Sequence, residues 1–458
     1  NIKPEVVAKA KKSIVTIQSR ISMSAYKFPG SWSGTGFVVD KKNGFIITNE
    51  HVVGRASIGT YFVTFDNGQQ AEAKLAYYDV WQDQAILKVN PEDVPAAAEE
   101  ISFTADQPSL NQSVFIIGNN EGQEFSIHHG ILSNLYDING AMPQHSYIIS
   151  LNAAGGSSGS PILNLKGQAI GLNYGSGGTF AIALKGEYVT KVLDALKAGN
   201  MPKRQHIGAL CQLYSLDKAV KHRNFPKSVM DQYIKDFPDT RNRAVMVKST
   251  LNSSPAFKEL TPGDIIWAVN DQPVSASLYI LDNAMDNAKE SVKLTIYRNG
   301  EKLDKVVQVY DVEAHKVARM LNFAGATFFE ADDYCSDKSG VQIGGLMVAN
   351  VQTGSSFSSI PLSFTQSDRQ FYRLAIQAVD SVKLSNLDDL IKVVPDLIAK
   401  KFITVDFKNR QPLFQPFDNI LISDHADLSS DITLDSIETK PRIFKYDSQK
   451  MEWVGEDL

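Results

Sequence analysis

Short apolar runs punctuated by polar turns fill the first 200 residues. SIVTIQSR, GTGFVVD, GFIITN, YFVTFD, DQAILKV, SVFIIGN, YIISLN, QAIGLNYG and GTFAIAL follow one another, bounded by Gly, Asn or Asp. Brief apolar runs between such breakers predict strands and turns, and hence a sandwich or barrel. The opening PEVVAKAKK and the closing GEYVTKVLDALKAG predict helices. In the second, Tyr188, Val189, Val192, Leu193 and Leu196 recur at helical spacing, and Gly199 stands where a C-terminal cap belongs.

After a short linker, Gly199–Arg204, the rhythm changes. HIGALCQL and AVMVKST predict strands, SLYILDNAM a helix, and Asn299-Gly300 a hairpin between alternating strands. The order then returns in weaker form. LNFAGATFFE echoes HIGALCQL, GLMVANVQTGSSFSS echoes AVMVKSTLNSSPAF, and ITVDFKN echoes VKLTIYRNG. This is an internal repeat of roughly 110–120 residues. ILIS, ITLDSI and RIFKY near the end predict edge strands or an arm.

Composition adds bounds. At roughly 100–200 residues per domain, 458 residues make two to four domains. Lys+Arg 46 against Asp+Glu 51 provides no basic field for nucleic acid. Residues 411–458 hold ten acids and four bases, so the tail alone carries the negative excess. Cys211 and Cys335 fall in different predicted modules, which argues against a bridge, and no metal-ligand spacing occurs. No apolar stretch approaches the roughly 18–20 residues of a membrane helix. No GxxxxGK[ST] loop appears, which agrees with chemistry independent of ATP. No cofactor is expected. The first residue is Asn1, which leaves room for a removed signal peptide.

Three segments carry candidate chemistry. His51 follows the strand GFIIT and is placed to act as a general base. Ser158 lies in Gly155-Gly156-Ser157-Ser158-Gly159-Ser160-Pro161, where a tight turn can expose a nucleophilic hydroxyl. Gly156 and Ser158 can there turn backbone N–H groups toward a developing oxyanion. Asp83 opens the strand DQAILKV and can orient the histidine, with Asp79 as a nearby competitor.

In the order His, Asp, Ser, these segments resemble the trypsin-like serine proteases. SGTGFVVD, GFIITNEHVV, DQAILKV, GILSNL and SSGSPILNLKGQAIGLN resemble the HtrA/Deg family over residues 30–185, and PGDIIWAVNDQPV looks like the PDZ domain that follows there. GGSSGSP is closest to the branch of fungal nuclear and some plant members. The resemblance implies a mainly β fold: a trypsin-like double β-barrel (1–199), two PDZ-like α+β domains (204–310 and a degenerate 311–410) and a short β-rich acidic extension (411–458). It implies His51 as base, Asp83 as orienting acid, Ser158 as nucleophile, and an oxyanion hole at Gly156 and Ser158. Ser157 and Ser160 stand where the family usually has Asn and Gly, and the segment before the nucleophile is shorter. The specificity pocket falls at Asn152–Gly155, Asn173–Gly175 and Phe180–Ile182. It carries no acid, which favours a small or medium apolar residue at the cleaved bond.

The resemblance also implies capture of C-terminal peptides by His206, Ile207, Gly208 and Ala209 of the first PDZ-like domain. The second has lost the Pro-Gly-Asp turn, carries Arg373-Leu374-Ala375 there, and reads as structural. Trimers are implied, with Tyr26, Phe28 and Trp32 as candidate contacts. The function expected is an ATP-independent serine endopeptidase for unfolded or damaged proteins. The alternative is a chaperone or peptide-binding scaffold with a silent barrel. A periplasmic location is expected, with a eukaryotic organelle or nucleus as the other reading.

Overall fold

The computed structural model describes residues 2–25, 29–54, 56–120, 122–153, 156–349, 351–359, 374–414, 421–434 and 440–458. A short helix, α1 (Pro4–Lys11), leads into a closed six-stranded barrel in the order β1-β2-β3-β6-β5-β4. Its strands are β1 (Ile14–Ser24), β2 (Gly30–Asp40), β3 (Phe45–Thr48), β4 (Ser57–Phe65), β5 (Gln70–Asp79) and β6 (Gln84–Val89). One helical turn, α2 (Glu50–Val53), follows β3. Val15, Ile17, Val38, Ile46, Val63 and Leu87 fill the barrel and are fully buried, as the period-two pattern requires.

A second closed barrel runs β10-β11-β12-β9-β8-β7. It contains β7 (Ser113–Asn120), β8 (Gln123–Asn139), β9 (Gln144–Ala153), β10 (Pro161–Leu163), β11 (Ala169–Ser176) and β12 (Gly178–Lys185). Helix α3 (Gly186–Lys197) covers the junction, burying Tyr188, Val189, Val192 and Leu193 with Phe37 and Phe115 of the two barrels. The fold is thus the mainly β double barrel expected, with further β-rich modules after it.

The first module comprises β13 (Gln205–His206), β14 (Ala209–Ser215), α4 (Leu216–His222), α5 (Lys227–Asp236), β15 (Arg243–Thr250) and α6 (Pro255–Glu259). It continues with β16 (Ile265–Val269), β17 (Gln272–Pro273), α7 (Leu278–Asn287), β18 (Ser291–Arg298), β19 (Glu301–Gln308) and β20 (Tyr310–Asp311). Strand order β14-β15-β16-β18-β19 leaves β14 at an edge. Tyr136 and Ile138 of β8 lie against this module: Arg243 donates to the Tyr136 carbonyl at 3.1 Å, and Ile138 packs on the core around Ile207, Leu278 and Leu281.

The second module comprises β21 (Arg319–Phe323), β22 (Ala326–Glu330), α8 (Asp333–Ser339), β23 (Leu346–Ala349), β24 (Leu374–Val379), β25 (Val382–Lys383) and α9 (Leu387–Ile398). The chain ends with β26 (Phe402–Phe414), β27 (Leu421–Thr433), β28 (Arg442–Asp447) and β29 (Glu452–Asp457). The sheet order is β27-β26-β24-β23-β22-β21-β28-β29. Strand β26 runs through position 410, so the tail extends this sheet at both edges instead of forming a separate arm. The repeat is visible as the same succession of strands and helices in both modules. One difference matters. In the second module β21 folds back on β22 through Ala324-Gly325, pairing Leu321 with Phe328 and Phe323 with Ala326. Leu321 and Phe323 then pack with Leu387, Leu390 and Val394 of α9. β21 thus covers the edge of β22 opposite β23.

No described helix is long and apolar enough to cross a membrane. Among the described residues, no cluster of His, Cys, Asp and Glu is arranged to hold a metal ion. Cys211 and Cys335 are buried thiols in separate cores.

Candidate active site

The cleft between the barrels brings His51, Asp83 and Ser158 together. β3 delivers the chain to α2, which carries His51 on its first turn. Asp83 ends the turn between β5 and β6, one residue before the buried strand. Its backbone is left-handed, with φ +47°. One carboxylate oxygen accepts the His51 backbone N–H at 3.0 Å, and the other lies 2.8 Å from Nδ1. Asn49 fixes the backbone of the same residue by donating to the Asp83 carbonyl at 3.0 Å. On the far side of the ring, Nε2 lies 2.8 Å from Ser158 Oγ. A carboxylate on Nδ1 selects the tautomer in which Nε2 is free to accept the serine proton. Asp79, the competing acid, is fully buried and faces Arg204, away from His51.

The serine turn is held by both barrels. Gly156 has φ +96°, and a Cβ there would lie 2.1 Å from the Asn119 carbonyl oxygen. Gly159 has φ +89°, and its Cβ would lie 1.9 Å from the Thr35 oxygen. No other residue type fits either position. Thr35 of β2 clasps the turn at two points. Its N–H donates to the Ser158 carbonyl at 2.9 Å and its hydroxyl donates to the Gly156 carbonyl at 2.8 Å, while its own carbonyl is held by the Thr48 hydroxyl of β3 at 2.8 Å. The same Thr35 hydroxyl accepts the Asn119 N–H at 2.9 Å.

The two departures from the family wording are accommodated in different ways. Ser157 is buried, with its carbonyl accepting the Asn173 side chain at 2.9 Å. Ser160 is buried opposite Gly118, where an added Cβ would lie 2.1 Å from Ser160 Oγ. Asn173 therefore supports the serine turn and does not face an open pocket. Tyr174 is buried and bonded to Ser146 at 2.6 Å, whereas Phe180 is partly exposed. Ala154 and Gly155, and the side chains of Asn152 and Ala153, lie outside the described residues.

The segment expected to bind peptide carboxylates is closed. Ile207 has no exposed surface, and His206 and Ala209 are buried. The Gly208 N–H donates to His206 Nδ1 at 2.9 Å, and the Trp81 ring stacks on the His206 ring at 3.8 Å between centroids. Burial, reinforced by the Arg204 charge, lowers the His206 pKa to about 3. The ring is thus neutral, and its 4.0 Å approach to Asp282 is not an ion pair. Tyr26 and Phe28, candidates for subunit contacts, lie outside the described residues. Trp32 donates its indole N–H to the Val52 carbonyl at 2.6 Å and packs on the first barrel.

Sequence reasoning passed over Thr35, Asn49, Asn119 and Arg204. A signal for Thr35 was present. It sits between Gly34 and Gly36, where a Cβ would lie 2.7 Å from Val52 and from Ile17. Two glycines in a buried strand mark close approach of another backbone. Arg204 offered no such signal, since a base beside Lys203 in a Pro-containing linker reads as solvated.

A family model described as a trypsin-like peptidase domain matches residues 34–172. Uncharacterized protein RP187 of Rickettsia prowazekii is 48% identical over 187 residues, covering 40% of this chain and 96% of that protein. Pro-apoptotic serine protease NMA111 of Pyricularia oryzae is 29% identical over 395 residues, 83% of this chain. The chain spans only 37% of that relative's length. Among solved structures, the serine endoprotease from Yersinia pestis is 20% identical with a TM-score of 0.44, covering 67% of this chain and 97% of that one.

Proposed function

We propose, from the match of residues 34–172 to a trypsin-like peptidase domain, that the chain is a serine endopeptidase of HtrA type that acts on unfolded or damaged proteins without ATP. Ser158 is the nucleophile, His51 the general base and Asp83 the acid that orients the imidazole. The observation that carries this reading is the continuous chain from Ser158 Oγ through His51 to Asp83, with both links at 2.8 Å.

In this mechanism Ser158 Oγ attacks the scissile carbonyl as its proton moves to His51 Nε2. Asp83 stabilises the imidazolium without taking the proton. The N–H groups of Gly156 and Ser158 receive the oxyanion. Collapse passes the proton from Nε2 to the leaving amine, and water then cleaves the acyl-enzyme by the same path in reverse. Asn173 and Tyr174 are taken up by the serine turn and the barrel, and the expected pocket residues that remain, Gly175 and Phe180–Ile182, carry no charge, which supports a small or medium apolar residue at the cleaved bond.

Capture of free C-termini at His206–Ala209 requires the first module to lift from the barrel, because Trp81 covers that loop. Assembly from trimers belongs to the same proposal. The similarity to a Rickettsia protein supports a bacterial, periplasmic setting, and the similarity to a Pyricularia protein supports the other reading, a eukaryotic organelle or nucleus.

The test is casein cleavage by the wild type and by Ser158→Ala. The variant should lose at least about 1,000-fold in kcat. Equal rates would remove Ser158 as nucleophile. No cleavage by either chain, with both suppressing aggregation, would replace the peptidase by a scaffold.

A further inference from the structure

The turn that presents Asp83 to His51 is held from outside its own barrel. It spans Val80–Asp83, between β5 and β6. Asp79 Oδ1 accepts the N–H groups of Trp81 and Gln82, both at 2.8 Å. Asp79 Oδ2 accepts Arg204 Nε at 2.6 Å, and Arg204 Nη1 donates to Asp286 Oδ1 of α7 at 2.5 Å. With its side-chain amide turned to suit its neighbours, Gln82 accepts from Arg204 Nη2 at 3.0 Å. Gln144 of the second barrel, turned likewise, donates to the carbonyls of Trp81 and Gln82 at 2.8 and 2.9 Å. The Trp81 indole N–H donates to Asp333 Oδ2 of α8 at 2.7 Å. The linker, the second barrel and both downstream modules therefore all grip this one turn.

Asp83 needs that grip. A left-handed backbone is unfavourable for a residue with a Cβ and persists where the surroundings over-determine it. Its carboxylate must also meet two donors of His51 at once. Buried ion pairs add little net stability compared with apolar packing, so the triad Asp79–Arg204–Asp286 is poorly explained as glue alone. It is well explained as a device that fixes geometry.

We infer that Arg204 is a positioning residue for the triad proposed above: it locks the turn through Asp79 and Gln82, and does so while Asp286 keeps the first module docked. The linker is thus part of the apparatus that aims Asp83, not a passive tether. This inference rests on the assignment of Ser158, His51 and Asp83.

The test uses the full chain and a chromogenic apolar peptide. Arg204→Met and Asp286→Asn are measured alone and in an Asp83→Asn background, with active sites in the single variants counted by end-point fluorophosphonate labelling of Ser158. Arg204→Met should lower kcat per labelled site by about 10–100-fold, with KM within about 2-fold, as expected for a misplaced group. In the Asp83→Asn background the same change should cost nothing further. Asp286→Asn leaves Asp79 paired, so it should give a smaller loss of the same kind, and it carries the test if Arg204→Met does not fold. Losses that multiply with Asp83→Asn, or fewer labelled sites at an unchanged rate per site, would overturn the inference alone. An Asp83→Asn chain as active as wild type would overturn the triad and the inference together.

Discussion

Thr35 shows how much of a reactive turn depends on a side chain that never meets substrate. Its hydroxyl donates to the Gly156 carbonyl and accepts the Asn119 N–H. The Gly156 carbonyl fixes the orientation of the residue whose N–H is a proposed oxyanion donor. Thr35→Val keeps the shape of the side chain and removes both bonds. We expect kcat to fall about 10–100-fold, somewhat less than loss of an oxyanion donor itself, with KM nearly unchanged and Thr35→Ser restoring most of the rate. A Val variant as fast as wild type would free Gly156 of this dependence. At this scale the side chains proposed to react stood out in the sequence because their neighbours are unusual: glycines, now seen at φ +96° and +89°, and an acid abutting a buried strand. Thr35 went unread as a support: Gly34 and Gly36 beside it mark a close approach in the strand, but not which group its hydroxyl meets.

At the scale of elements, the hairpin of β8 and β9 joins the barrels to the downstream modules. Its tip reads Asn139-Gly-Ala-Met-Pro-Gln144, which the sequence marks as a turn and nothing more. Yet Met142 is 2% exposed and packs with Val80, Trp81, Leu210, Leu251 and Val312. Met142→Ala should therefore destabilise the chain by about 2–5 kcal/mol, read as a lower urea midpoint at constant slope. Leu110→Ala, at a side chain 50% exposed, should change it little. Equal small shifts in both would show that the hairpin tip is not packed. The strands themselves were legible because alternation reports a buried face directly. Their partners were not. LNF in β21 reads as a strand, and only three-dimensional pairing places it along β22 of its own module.

On the scale of the whole molecule, the modules meet through buried polar groups whose charges depend on pH. Burial raises Asp282 to about 7, with the Tyr188 hydroxyl donating to it, and raises Asp333 to about 7. Burial would also raise Asp79, but Arg204 outweighs it and holds that carboxyl below its ordinary value. A raised native pKa means that the folded state keeps a proton the unfolded state has released. The contribution of Asp282 and Asp333 is thus full below the ordinary carboxylate range and is lost as pH rises through about 7. Asp79 behaves oppositely, and its contribution is lost on acidification below that range. Each raised carboxyl lowers the stability from pH 5 to pH 7 by at most about 1.4 kcal/mol per pH unit, while buried His145 and His206, lowered to about 4 and about 3, act in the opposite sense over the acid part of this window. Asp282→Asn removes one of the falling contributions, so the stability of the variant relative to the wild type, read from denaturation midpoints, should climb between pH 5 and pH 7. A difference that stays constant over this window would mean that Asp282 is ionised in the native state.

The counter-charge of a barrel carboxylate thus lies in the linker, and the counter-charge of the linker lies in the first module. Removing that module would take Asp286, one of its two carboxylate partners, from buried Arg204 and loosen the hold of Arg204 on Asp79, and breaking a buried ion network in this way costs about 3–5 kcal/mol. That is a large part of the net stability of an ordinary domain, about 5–15 kcal/mol. The parts of this chain are therefore not beads that fold and melt independently. They form one cooperative unit, and a cut in the linker is felt at the catalytic cleft as well as at the place where the chain is severed.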